Sequence, residues 1–117
     1  IDELPDFKLK HIKKLMDYID DDSAVDFFPV NPLSSKYTDP KILNECLMWT
    51  IDGIRYGKKY PSLESCLMYT LTYMRITDNE RKALATKYKS WHDEYTKNPS
   101  ETLKKKNLLE GTTYKWQ

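Results

Sequence analysis

The stretch CLMWTIDGIR occupies residues 46–55, and CLMYTLTYMR occupies residues 66–75. Cys, Leu, Met, Thr and Arg recur at the same offsets, with Trp49 answered by Tyr69 and Ile51 by Leu71. Around the first copy, Leu43, Leu47, Thr50 and Ile54 make one stripe at helical spacing, widened by Ile42, Cys46 and Trp49. Asp39 is placed to cap this helix, Pro40 suits its first position, and Gly57 stops it. Around the second copy, Leu63, Leu67, Thr70 and Met74 repeat the stripe after Ser62, a second candidate cap. The turn KKYP at 58–61 is short, which favours antiparallel neighbours. The pattern therefore predicts two central helices that share one seam. Two copies fall short of the three or so that a stacked repeat array needs.

The flanks carry their own signals. Leu9, Ile12, Leu15, Met16 and Ile19 lie at helical spacing among lysines and predict a first helix over 5–20. Asp20, Asp21 and Asp22 oppose the dipole at its end. SAVDFF at 23–28 predicts one helical turn capped by Ser23. TDNE at 77–80 is a capping box, followed by Leu84, Tyr88, Trp91 and Tyr95 on one helical face. A last helix is expected from Asn98 to about Glu110, stopped at Gly111. The expected fold is all-α: a single-domain bundle of about five helices plus one short helical turn, built around the antiparallel pair from 46–55 and 66–75. Residues 1–117 read as one helical domain, with 112–117 as a tail. A chain that opens on Ile1 is expected to be excised from a longer chain or polyprotein.

Composition excludes several classes. The 39% hydrophobic and 32% charged residues suit a globular chain, and 13% aromatics argue against disorder. No apolar run approaches the roughly 18 residues of a membrane span. The net charge of +1 names no partner. Acids concentrate in residues 1–40 and bases in 77–117, an asymmetry that orients encounters.

Chemical motifs are few. Cys46 and Cys66 lack CxxC spacing and have no nearby histidine, so they read as reduced core thiols and place the chain in an intracellular, cytoplasmic setting. His11 and His92 are isolated, and no HExxH, GxSxG or glycine-rich phosphate loop is present. A calcium loop starting at Asp20 fails, with Val25 where glycine is required and Asn31 where a bidentate glutamate belongs. No catalytic residue, metal site or cofactor is expected.

Two patches remain. Phe27, Phe28, Val30 and Leu33 put apolar side chains in a proline-bearing connector and are the candidate protein-binding residues. Lys58, Lys59, Lys104, Lys105 and Lys106, with Tyr60, Tyr114 and Trp116 nearby, are the candidate nucleic-acid contacts. Three consecutive lysines diverge around a helix, and only Arg55, Arg75 and Arg81 supply the residue favoured for reading bases. The sequence thus leads to a non-enzymatic helical interaction module that binds another protein. A nucleic-acid-binding domain is the first alternative, and a small oligomerising structural protein, for instance a viral one, is the second.

Overall fold

Every residue from Asn44 to Gly53 is buried, so the helix that carries the first repeat is enclosed on all sides. The computed structural model describes residues 4–25, 28 and 41–117. Within them, a short 3-10 turn at Leu9–His11 leads into α1 (Ile12–Met16). There follow β1 (Ala24–Val25), β2 (Lys41–Ile42), α2 (Leu43–Tyr56), β3 (Leu67–Tyr69), α3 (Asp78–Lys97), α4 (Glu101–Lys104) and β4 (Tyr114–Trp116).

The start of α2 is not capped by a side chain. Ile42 is extended at its N-cap, and the Leu43 and Asn44 N–H groups donate to the carbonyls of Ser23 and Asp21 at 2.8 and 2.9 Å. The turn after α1 thus satisfies donors that a helix start leaves open. Asp39, the expected cap, lies outside the described residues. The C-terminus follows expectation. Gly57 is left-handed at φ 70°, and the Lys58 N–H reaches back to the Gly53 carbonyl over 2.8 Å.

The second copy of the repeat is not a helix, and the all-α bundle of five helices is incorrect. The described residues contain four helices and two antiparallel two-stranded sheets. Leu67–Tyr69 is β3, the chain turns through 70–73, and Arg75 returns to bridge Met68. The Tyr69 N–H donates to the Met74 carbonyl at 2.8 Å, closing a four-residue hairpin loop. The stripe Leu63, Leu67, Thr70 and Met74 is broken: Leu67 is buried and the other three are exposed. Local chemistry accounts for the divergence. Tyr69, Thr70, Thr72 and Tyr73 are aromatic or β-branched residues of poor helix propensity that fit a pleated strand. Glu45 completes the selection, because its carboxylate accepts the Leu67 N–H at 2.5 Å.

β4 pairs antiparallel with β3, opposing Leu67 to Trp116 and Tyr69 to Tyr114. Residues 112–117, read from the sequence as a tail, therefore hold a strand. β1 pairs with β2, opposing Ala24 to Ile42, where the sequence led to a helical turn. The first helix is shorter than expected, ending at Met16. The last is a single turn capped by Ser100, whose hydroxyl accepts the Leu103 N–H at 3.0 Å. α3 matches its expectation closely. Thr77 and Glu80 exchange both capping-box bonds, and Leu84, Tyr88 and Trp91 are buried.

One core joins these elements. Ile12 and Ile19 from the α1 region, Leu47, Met48 and Ile51 from α2, Leu67 from β3, and Leu84, Tyr88 and Trp91 from α3 pack together. Arginine is spent inside. Arg55 is fully buried, Arg81 is buried and Arg75 is half-buried.

Candidate interaction surfaces

Two carboxylates on the buried helix organise the interior. Glu45 and Asp52 are seven residues apart and lie on one face of α2. Glu45 faces Arg81 at 3.4 Å and Arg75 at 3.5 Å, besides its bond to the Leu67 N–H. Burial pushes its carboxyl above the ordinary value, while that N–H and the two guanidinium groups pull it down. Asp52 accepts from Arg55 at 2.5 Å, from the Tyr88 hydroxyl at 2.6 Å and from the Trp116 indole at 2.8 Å. Burial raises the Asp52 carboxyl against these three donors. Arg55 also donates to the carbonyls of Lys104, at 3.0 Å, and Lys106, and its guanidinium lies 4.7 Å from the Trp91 ring centre. The Trp91 N–H takes the Leu103 carbonyl at 2.7 Å. These groups tie the C-terminal segment to the core, and their hydrogen-bonding capacity is directed inward.

The sequence pointed to these groups only weakly. Glu45 and Asp52 interrupt an apolar run, which is a signal of buried charge. Their partners come from other elements and cannot be read from spacing along α2.

The thiols are equally internal. Cys46 and Cys66 are free and buried, and the Cys46 sulfur lies 3.5 Å from the Ser65 hydroxyl. Burial pushes the Cys46 thiol up to about 12 and the Cys66 thiol up to about 11. Among the described residues, no group of three His, Cys, Asp or Glu is placed to hold a metal ion.

The surface carries two distinct features. The first is the tip of the hairpin that follows β3. Leu71 is 91% exposed, Tyr73 67% and Met74 66%. Tyr73 has φ 56° and is the single non-glycine residue with positive φ among the described residues. That conformation costs a bulky side chain roughly 1–2 kcal/mol. The base of the hairpin is held by β4 and by Glu45, so the tip projects from a fixed support. Sequence reading missed it because a helix would have turned Leu67 and Met74 into one seam.

The second feature is a cleft of about 630 Å³ between residues 4–10 and the end of α2. Lys58 and Lys59 line it together with Lys8 and Lys10.

The remaining sequence candidates separate. Lys105 and Lys106 border a different hollow, at the junction of α3 and α4. Lys104 and Lys105 each lie 3.9 Å from the Glu101 carboxylate. The five lysines therefore do not line one cleft. Phe28 is half-buried, with its ring 6.2 Å from Trp49 and edge-on to it, so it packs on a core residue. Phe27, Val30 and Leu33 lie outside the described residues.

These features define a small mixed helix-and-strand domain with a charged, cross-braced interior and an apolar hairpin tip. Residues 1–117 match the family described as "Domain of unknown function (DUF4943)", and the chain belongs to that family. No curated protein and no solved structure matches the chain.

Proposed function

We propose that this domain is a non-enzymatic interaction module that binds another protein, and that the hairpin tip is its contact. The observation that carries this reading is the grouping of Leu71, Tyr73 and Met74, all exposed, within four residues of one braced turn. Isolated exposed apolar residues are ordinary, whereas a cluster presented on a fixed support is the usual form of a binding anchor. Tyr73 adds to this, because strained backbone concentrates at functional positions. The inward commitment of Glu45, Asp52, Arg55 and Tyr88 supports a binding role over a catalytic one, since each is satisfied by protein groups. The nucleic-acid reading draws less support, because Lys58 and Lys59 line one cleft while Lys105 and Lys106 border another, and all three arginines pair with buried carboxylates.

The test places a photo-crosslinking side chain at Leu71 in cells that make the protein natively, identifies the adduct, and measures its purified binding. Leu71→Asp with Met74→Asp should weaken that binding about tenfold or more while leaving the far-ultraviolet spectrum unchanged. Unaltered affinity in this double variant overturns the reading. An adduct formed only between copies of this chain replaces it with self-assembly.

A further inference from the structure

We infer that the cleft between the N-terminal segment and the end of α2 binds an extended peptide segment whose carboxylates flank one or two apolar side chains. This site does not rest on the hairpin tip, and either can fail without the other. At about 630 Å³ the cleft is of the size that holds a few side chains of a ligand. Leu4, which is buried, and Phe7 and Ile54, which are half-buried, give it an apolar lining. Lys8 and Lys10 come from one chain segment and Lys58 and Lys59 from the other, and all four are exposed.

Charge fixes the sign of the occupant. Four lysines face one acid, Asp6, among the lining residues. Asp6 lies 3.4 Å from Lys59 in an exposed pair, a contact of little net worth that an incoming carboxylate can exchange for its own. The C-terminal end of α2 also borders the cleft, and its dipole opposes an anion. That opposition is reduced, because the Gly53 and Ile54 carbonyls already accept from Lys58 and Gly57. Among the described residues the lysines therefore set the local potential.

The apolar lining decides between polyanions. A nucleic acid presents a continuous phosphate backbone, and its readers supply arginine and stacking aromatic faces. This cleft has no arginine among its lining residues, and its one aromatic ring, Phe7, sits edge-on to His11 at 5.8 Å. Leu9, which is exposed, and Ile54 instead match a leucine or phenylalanine side chain held between carboxylates. The solvent-exposed lysines suit an encounter steered by charge and weakened by salt.

The test titrates the isotopically labelled full chain, followed by amide resonances, with three probes. These are short synthetic peptides with Asp and Glu around a Leu-Phe pair, the same peptides with Ser replacing that pair, and a short single-stranded DNA. The acidic-apolar peptides should shift amides within residues 4–10 and 50–59 and saturate. The serine peptides should bind about tenfold more weakly, the scale of burying one apolar side chain. Lys58→Glu with Lys59→Glu, both at exposed positions, should weaken the acidic-apolar peptides about tenfold or more. Absence of saturable shifts in those two segments overturns the inference. So does equal binding of the serine peptides, or tighter binding of the DNA at the same residues.

Discussion

The indole N–H of Trp116 donates to the Asp52 carboxylate over 2.8 Å, a bond that spans 64 positions of sequence. The same carboxylate oxygen accepts the Tyr88 hydroxyl, and the other oxygen holds Arg55. Arg55 in turn grips the carbonyls of Lys104 and Lys106. Directly and through Arg55, this one aspartate therefore ties α2 to α3, to the end of α4 and the segment after it, and to β4. A buried pair that loses one partner leaves the other charged and unsatisfied, which costs far more than the intact pair contributes.

Asp52→Ala should accordingly destabilise the domain by about 3–5 kcal/mol, because Arg55 stays charged and buried. Trp116→Phe removes one donor and should cost less, about 1–3 kcal/mol. Urea unfolding of both variants measures the difference. Equal and small losses would show that Asp52 does not join these elements.

The two repeat copies give a second test. Leu67 is fully buried in the core, whereas Leu71 projects from the hairpin tip. Leu67→Ala, like Leu47→Ala on α2, should cost about 2–5 kcal/mol. Leu71→Ala should stay within about 0.5 kcal/mol of the native domain. A large loss at Leu71 would restore a helix-like burial of the second copy.

Gly53 and Gly57 should respond differently to the same methyl group. A Cβ on Gly53 would meet the Lys58 carbonyl oxygen at 2.6 Å and the Pro61 ring at 3.1 Å. Backbone must move, so Gly53→Ala should cost about 1–3 kcal/mol. A Cβ on Gly57 meets nothing within 4 Å, and the cost of Gly57→Ala arises from its φ of 70° alone, about 1 kcal/mol. Thermal melts of the pair separate crowding from backbone strain, and a milder effect at Gly53 would contradict the close approach.

The thiols predict an alkaline limb. From an ordinary value of 9.0, burial in the fold pushes the Cys66 thiol up to about 11 and the Cys46 thiol up to about 12. Their contribution to stability is complete below pH 9 and is lost as pH rises through the folded values, because the unfolded chain releases those protons first. Tyr88, raised by burial, acts in the same direction. Unfolding free energy should fall by up to about 1.4 kcal/mol per pH unit for each thiol. The slope should be shallower in a Cys46→Ala, Cys66→Ala variant, and an unchanged slope would remove the thiols from the account. At neutral pH both should react with a thiol reagent only after unfolding.

The sequence by itself determined α3 most completely. Thr77 and Glu80 cap it locally, and Leu84, Tyr88 and Trp91 recur on one face, so nothing distant is needed to specify it. It also determined the body and the C-terminal stop of α2, through apolar spacing and Gly57. The hairpin was a tertiary decision. Identical Cys, Leu, Met, Thr and Arg positions fold as helix in 46–55 and as strand and turn in 66–75, because periodicity does not count hydrogen bonds supplied from elsewhere. The Leu67 N–H finds the Glu45 carboxylate, and the strand finds β4 nearly fifty residues later in the chain, about two-fifths of its length. The candidate surfaces followed the same division. Lys58 and Lys59 were visible as bases, but their cleft exists only once residues 4–10 pack beside α2. Leu71, Tyr73 and Met74 were visible as apolar, but only the turn of the backbone put them outside. Local spacing states which residues prefer to be buried together, and long-range pairing chooses which of those preferences are met.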